Sequence, residues 1–77
     1  MPKVPVEAFA GRLKQLRTAA GLTQKEAAKA LGMPEQMWQK YEYGTREPSL
    51  GKAVILADFF NTTVDYLAGR TNDPKRK

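Results

Sequence analysis

Two short segments with helix signals follow each other in the middle of the chain, with one glycine turn between them. The first begins at Thr23 and ends before Gly32, and the second begins near Pro34 and ends at Gly44. Each is shorter than the roughly 12 residues at which an isolated helix becomes stable in water. These two helices can therefore persist only by packing against each other and against the rest of the chain.

Periodic apolar residues predict a helix before this pair. Within residues 6–20, apolar side chains recur every three or four positions, which places them on one face of a helix. Gly21 is placed to end this helix. The apolar positions are Phe9, Leu13, Leu16 and Ala20. Two prolines within residues 1–5 indicate a flexible leader.

Cap residues define where the paired helices begin. Thr23 followed by Glu26 is a capping-box signature, in which the hydroxyl and the carboxylate satisfy backbone amides. It opens a helix that runs to Leu31. Pro34 is expected at the first position of the next helix, because a proline there lacks only an amide that would be unpaired anyway.

The remaining third of the chain predicts two more helices and a tail. Ser49 and Thr63 are N-cap candidates for helices at residues 50–60 and 64–68. Residues 70–77 are polar, basic and interrupted by a proline, and we expect them to be disordered. Because no segment has the signature of a strand, the five helices predict an all-α fold.

Composition limits what a chain of this size can do. Its 77 residues leave room for one domain, which we place at residues 6–69. The absence of cysteine and histidine excludes disulfides and the usual zinc sites. No phosphate-cradling glycine motif or paired carboxylates point to catalysis. We therefore expect no enzyme, no cofactor, no metal site and no small-molecule substrate.

Location and charge narrow the choice of partner. No apolar run is long enough to span a membrane and no signal peptide is visible, so we expect a cytoplasmic protein without a membrane partner. The net charge of +5 favours a polyanion. However, four cations and one aspartate in residues 70–77 account for +3 of it. The folded part therefore carries only a weak positive charge.

A helix pair joined at a glycine is typical of the helix-turn-helix motif, whose second helix can enter the major groove of DNA. Other segments extend the pattern in order along the chain: residues 12–17, 21–24, 41–50, 56–61 and 64–69. From about residue 9 to residue 73, the chain thereby resembles the phage-repressor type (Cro/C1-like) helix-turn-helix DNA-binding family. The resemblance implies a compact five-helix lambda-repressor-like domain.

The resemblance also implies a function. It makes the helix at residues 34–43 the recognition helix and lays the helix at residues 24–31 across the DNA backbone. The chain would be a sequence-specific transcriptional regulator, a repressor that binds an inverted-repeat operator in double-stranded DNA as a homodimer. The alternative is a protein–protein interaction module on the same fold, for example an antitoxin or a regulatory partner domain.

Four residues of the recognition helix are candidates for contact with bases. Gln36 is the strongest, since its amide can pair with both N6 and N7 of adenine. Glu35 could accept a hydrogen bond from N4 of cytosine, or it could only stabilise the helix N-terminus. Met37 could touch a thymine methyl group, and Lys40 could reach a base or a phosphate. For Gln36 and Lys40, the alternative is an exposed side chain without a DNA contact.

Other candidates would hold the DNA backbone or the helix itself. The resemblance assigns a phosphate contact to Gln24, in the first turn of the second helix. Further phosphate candidates, each of them otherwise a solvated side chain, are Lys25, Lys29, Thr45 and Arg46. Arg17 and Glu42 match a family pair that forms a salt bridge between the first and third helices. Their expected role is to position the recognition helix.

Trp38 departs from the β-branched aliphatic residue that the family tends to place at this point. We expect it in the core, with its volume offset by the small Ala27 and Ala30, although Met37 and Trp38 together could also form a protein interface. The other residues expected in the core are Leu13, Leu16, Leu22, Ala28, Leu31, Tyr41, Leu50, Leu56, Phe60, Val64 and Leu67.

The fourth helix carries more apolar residues than one buried face needs. Its expected inward stripe is Leu50, Ala53, Ala57 and Phe60. Ile55 and Phe59 fall outside this stripe, four residues apart on another face. With Tyr66 nearby, we expect them to form a two-fold dimer contact. The alternative is a wide apolar face packed against the first and fifth helices.

Overall fold

Five α-helices make up the regular structure of residues 6–76, the part of the chain that the computed structural model describes. They are α1 (Val6–Ala19), α2 (Gln24–Ala30), α3 (Glu35–Glu42), α4 (Leu50–Phe59) and α5 (Val64–Leu67). Residues 6–76 contain no strand, which confirms the all-α prediction. The expected leader at residues 1–5 lies outside the described residues. Within the described range, no helix is both long and apolar enough to cross a membrane.

Local caps begin three of these helices as the sequence predicts. The Thr23 hydroxyl accepts from the Glu26 amide at 3.0 Å, and the Glu26 carboxylate accepts from the Thr23 amide at 2.9 Å. The hydroxyls of Ser49 and Thr63 each accept from the amide three residues further on, at 3.1 and 3.0 Å. Each contact satisfies a backbone donor that has no partner inside its helix.

The turn between α2 and α3 depends on the backbone of Gly32. This residue has φ of 66°, a left-handed conformation that favours glycine. Its amide donates to the Lys29 carbonyl at 3.1 Å, and the Met33 amide donates to the Ala28 carbonyl at 3.0 Å. These two bonds form a Schellman motif, which closes α2 and turns the chain toward α3. Met33 is 7% exposed and adds its side chain to the core.

Pro34 does not occupy the first helical position that the sequence suggested. Its φ of −62° and ψ of 142° are those of an N-cap residue in extended conformation, and α3 begins one residue later at Glu35. The Pro34 carbonyl accepts from the Met37 and Trp38 amides, at 3.1 and 3.3 Å. A proline lacks the backbone N–H, and this costs nothing at either the N-cap or the first helical position. The preference for proline at a helix start therefore could not distinguish between these two positions.

The core lies where α3 packs against α1 and α2. Trp38 is fully buried, as expected, and its ring centroid lies 6.2 Å from that of Phe60. Tyr41 meets Phe9 of α1 edge to face at 5.8 Å. Ala27 is buried, but Ala30 is exposed and does not make room for the indole. The predicted residues Leu13, Ala28, Leu56 and Leu67 are buried, and Leu16, Leu22, Leu31, Phe60 and Val64 are half-buried against this core.

Leu50 is the residue of the predicted core that the structure places elsewhere. It is 77% exposed, because it stands at the first position of α4 where no other element covers it. Leu56 takes part in the inward stripe instead and is fully buried. The stripe then follows the i, i+3, i+4, i+7 spacing of a helical face, through Ala53, Leu56, Ala57 and Phe60.

Residues 70–76 have no helix, yet hydrogen bonds hold them against the domain. The hydroxyl of Thr62, 1% exposed, donates to the Pro74 carbonyl at 2.7 Å, and Arg76 Nε donates to the Thr62 carbonyl at 2.8 Å. This packing differs from the disorder that we expected. The polar composition of the segment indicates solvation, but the bonds use backbone carbonyls, which composition does not reveal.

Arg12 of α1 holds the beginning of the same segment. Its guanidinium carbon lies 4.0 Å from the centroid of the Tyr66 ring. The same group donates to the Thr71 carbonyl at 3.0 Å and to Asn72 Oδ1 at 2.8 Å. A cation stacked on an aromatic ring and bonded to two further residues ties α1, α5 and residues 70–76 together.

Candidate nucleic-acid interface

The side of α3 opposite Trp38 and Tyr41 faces solvent. We call it the outer face of α3, and it consists of Glu35, Gln36, Gln39, Lys40 and Tyr43, the residue that follows the helix. All are exposed except the half-buried Gln39. An α-helix with its side chains is about 10–12 Å across, which is close to the width of the major groove of DNA.

Three of the four predicted base-contacting residues lie together on this face. Gln36 and Lys40 are one helical turn apart and both exposed. Among residues 6–76, no side-chain hydrogen bond engages the Gln36 amide, which leaves its donor and acceptor available to a base edge. Glu35 accepts from Gln39 Nε2 at 3.4 Å. This bond occupies one oxygen of the carboxylate that the sequence suggested as an acceptor for N4 of cytosine.

The structure places Met37 differently from the expectation. It is half-buried and packs against the core instead of lying on the outer face of α3. Its position four residues before the buried Tyr41 explains this, because residues four apart lie on the same face of a helix. The thymine contact suggested for Met37 therefore has no support in the geometry.

Gln39 and Tyr43 belong to the outer face of α3, but sequence reasoning missed them. Tyr43 is 67% exposed and is the only large exposed apolar residue of the described chain outside α4. Helical spacing could have found both, since they follow Glu35 by four and eight positions.

The expected phosphate contacts fall into two groups. Lys25, Lys29 and Arg46 are exposed and can reach a partner outside the domain. Thr45 is already engaged, since its amide and hydroxyl both donate to the Lys40 carbonyl, at 3.0 and 3.2 Å. In this arrangement Thr45 has no donor left for a phosphate and instead closes the end of α3.

Gln24 connects the start of α2 to the end of α3. It is half-buried, and its Nε2 donates to Glu42 Oε1 at 3.2 Å. A side-chain amide has two N–H donors, so one remains for a phosphate. The bond to Glu42 fixes where that remaining donor lies.

Glu42 is the centre of a buried hydrogen-bond network, and its side chain is 2% exposed. The predicted pair with Arg17 is present and bidentate, with Nε 2.5 Å from Oε2 and Nη2 3.1 Å from Oε1. Trp38 Nε1 also donates to Oε2, at 2.5 Å. Together with the bond from Gln24, these contacts attach α3 to α1 and α2 at one carboxylate.

The network sets the protonation state of this carboxylate. Burial raises the pKa of Glu42. The hydrogen bonds from Arg17, Trp38 and Gln24 and the positive charge of Arg17 together lower it by more than burial raises it, so the pKa lies below its ordinary value. The hydrogen bond to Glu42 raises the pKa of Arg17 in turn. Both groups are therefore charged at neutral pH.

A second exposed surface lies on α4. We call it the outer face of α4, and its apolar residues are Leu50, Val54, Ile55 and Phe59. The expected contacts Ile55 and Phe59 belong to it, with exposed fractions of 46% and 38%. Tyr66, the third expected contact, is half-buried, and the Arg12 guanidinium covers its ring.

Comparison with known proteins agrees with this geometry. A family profile described as helix-turn-helix matches residues 13–67. The uncharacterized HTH-type transcriptional regulator YobD of Bacillus subtilis (strain 168) is 39% identical over 69 residues, which are 90% of this chain and 62% of YobD. The HTH-type transcriptional regulator ImmR of the same strain is 37% identical over 65 residues, 84% of this chain and 51% of ImmR.

A phage-derived protein also matches. The cryptic phage CTXphi transcriptional repressor RstR of Vibrio cholerae is 30% identical over 59 residues, 77% of this chain and 53% of RstR. The chain spans 51% to 62% of the length of these three relatives. The shared part includes all of α2 and α3 within the matched residues 13–67.

Proposed function

The chain belongs to the helix-turn-helix family of the Cro/C1 type, and from this premise we propose that it is a sequence-specific DNA-binding transcription regulator. The observation that carries the proposal is the outer face of α3. It presents the amide of Gln36, which has no side-chain hydrogen bond within residues 6–76, and a lysine one turn further on, at Lys40. A helix with side chains fits the major groove, and such groups are the ones that read base edges there.

The two helices have different tasks in this proposal. The outer face of α3 enters the major groove, where Gln36 pairs with an adenine and Lys40 contacts a base or a phosphate. The second N–H of Gln24 and the lysines at positions 25 and 29 bind phosphates on either side of the groove. Arg17 and Glu42 do not touch DNA and act by positioning α3.

The test is selection of binding sites from a random duplex pool at two salt concentrations. We expect enrichment of one sequence, with affinity that falls steeply as salt rises, because phosphate contacts release counterions. Lys25→Ala should reduce the salt dependence, and Lys75→Ala, a lysine of the segment 70–76, serves as the charge-matched control. A pool without enrichment at either salt would contradict the proposal.

The proposal includes a repressor that acts in the cytoplasm as a homodimer. A dimer on an inverted repeat places its two α3 helices in successive major grooves, about 34 Å apart. The repressor RstR supports the direction of regulation by its name alone. A reporter driven by a promoter with the selected site should lose expression when the chain is produced. Increased expression would indicate an activator.

A protein-binding module on the same fold is the second candidate. The aromatic ring of Tyr43, 67% exposed at the end of α3, favours it, because tyrosine is enriched at protein interfaces. An interface of this kind would be nearly insensitive to salt. In the selection experiment such a module would enrich no duplex at either salt concentration, which separates the two candidates.

A further inference from the structure

The outer face of α4 concentrates the exposed apolar surface of the described chain. Of the five large exposed apolar residues of the described chain, four lie on this face. Their exposed fractions are 77% for Leu50, 43% for Val54, 46% for Ile55 and 38% for Phe59. Residues 50 and 54 form one row along the helix, and residues 55 and 59 form the neighbouring row. A contiguous apolar patch on a small domain marks an interaction surface.

One carboxylate stands within this patch. Asp58 follows Val54 by four residues and Ile55 by three, so it neighbours both on the helix surface. Its side chain is 61% exposed. If a partner covered the patch, this charge would lose its water, which is costly for an unpaired carboxylate.

Arg76 compensates the charge of Asp58 from within the same chain. Its Nη2 donates to Asp58 Oδ1, and its Nε donates to the Thr62 carbonyl at 2.8 Å. Thr62 in turn holds the preceding segment through its bond to the Pro74 carbonyl. The guanidinium, whose side chain is 42% exposed, is thus bonded at two points beside α4.

We propose that Arg76 neutralises Asp58 so that the outer faces of α4 of two copies of this chain can be buried against each other. The inference rests on the dimer of the proposed function and assigns residues 70–76 a part in it. A different partner could bring its own cation to Asp58. A second copy instead brings a second Asp58, and two unpaired carboxylates at a two-fold interface would repel each other. The contact with Arg76 within each chain removes that repulsion.

The test is sedimentation equilibrium of the full chain and four variants. The wild type should dimerise, and Ile55→Glu should abolish the dimer. Arg76→Ala should raise the dimer dissociation constant by at least about tenfold, because each copy then brings an uncompensated carboxylate into the interface. The double variant Asp58→Asn/Arg76→Ala should return to within about threefold of the wild type, since no charge is left to compensate.

Arg70→Ala is the matched control. It removes an arginine from the same segment, and Arg70 meets Asp65 only at 3.9 Å, with side chains 77% and 70% exposed. We expect no change in the dimer dissociation constant. Circular dichroism of each variant confirms that the helices are intact.

Three outcomes would overturn the inference: a wild type that stays monomeric at all concentrations, an Arg76→Ala dimer as tight as the wild type, or a double variant as weak as Arg76→Ala. The last result would mean that Arg76 acts through Thr62 and not through Asp58. None of these outcomes tests whether α3 reads base sequence. Binding of the monomer to a duplex with a single half-site measures that separately.

Discussion

Glu42 is the residue whose substitution we expect to lower the unfolding free energy most. Its carboxylate accepts two bonds from Arg17, one from Trp38 and one from Gln24. Glu42→Gln removes the charge that Arg17 faces and turns an N–H toward other donors. Loss of one partner of a buried ion pair costs about 3 kcal/mol or more. Urea unfolding should show a loss of this size, and a loss below about 0.5 kcal/mol would contradict the buried network.

The pH dependence of stability follows from the same group. The folded pKa of Glu42 is lowered, so its contribution is fully present above the unfolded value of about 4.3 and is lost as the pH falls through the folded pKa. The difference in unfolding free energy between wild type and Glu42→Gln should therefore be constant at neutral pH and shrink below about pH 4.3. A difference that grows in acid would contradict the sign.

Glu26 does not disturb this comparison. Its pKa is also lowered, by the hydrogen bonds of the capping box at Thr23. Its effect on stability has the same sign and is present in both proteins. Subtraction of the two curves therefore isolates Glu42.

At the scale of the helices, two glycines with left-handed backbone and one inside a helix give a graded prediction. Gly32→Ala meets no neighbouring atom, but its φ of 66° should cost roughly 1–2 kcal/mol. Gly69→Ala should cost more, since its φ is 77° and the new Cβ would lie 2.8 Å from Ala8 Cβ. Gly51→Ala, inside α4 and in open space, should stabilise by about 0.5–1 kcal/mol.

Urea unfolding of the three glycine variants gives the order. We expect Gly51→Ala to be more stable than the wild type, followed by Gly32→Ala and then Gly69→Ala. If Gly32→Ala stabilised the protein as Gly51→Ala does, the left-handed turn between α2 and α3 would be wrong.

Helix existence and type were predictable because their signals are local. The capping box at Thr23 and the caps at Ser49 and Thr63 each act within three residues, so the sequence displays them completely. The Arg17–Glu42 pair was accessible only through the resemblance, since 25 residues separate its members.

What the sequence could not show depends on contacts between distant segments. Leu50 has the side chain of a core residue but lies where no element reaches it. Met37 was expected in the groove, yet the packing of α3 turns it toward the core. The bonds from Arg12 to Thr71 and from Arg76 to Thr62 use backbone carbonyls, whose positions only the folded chain defines.

At the scale of the molecule, packed aromatic rings connect the two exposed faces. Phe59 on the outer face of α4 meets Phe60 at 4.9 Å, and Phe60 meets Trp38 of α3 at 6.2 Å. In a dimer through α4, this rigid core would set the distance between the two α3 helices. The spacing of half-sites should therefore be strict.

Insertion of about five base pairs between half-sites tests that spacing, because it turns one half-site to the opposite side of a helix with about 10 base pairs per turn. The affinity should fall to that of a single half-site. Unchanged affinity would mean that the two domains are joined flexibly or bind independently.

The central claim is that the outer face of α3 reads base sequence. The most direct test measures the affinity of Gln36→Ala for duplexes that carry each base pair in turn at every position of the selected site. We expect a loss of about 1–3 kcal/mol and of preference at one base pair only. Lys40→Ala, as the comparison, should weaken binding to all sequences nearly equally if it contacts a phosphate. An equal loss across all sequences for Gln36→Ala would contradict the claim.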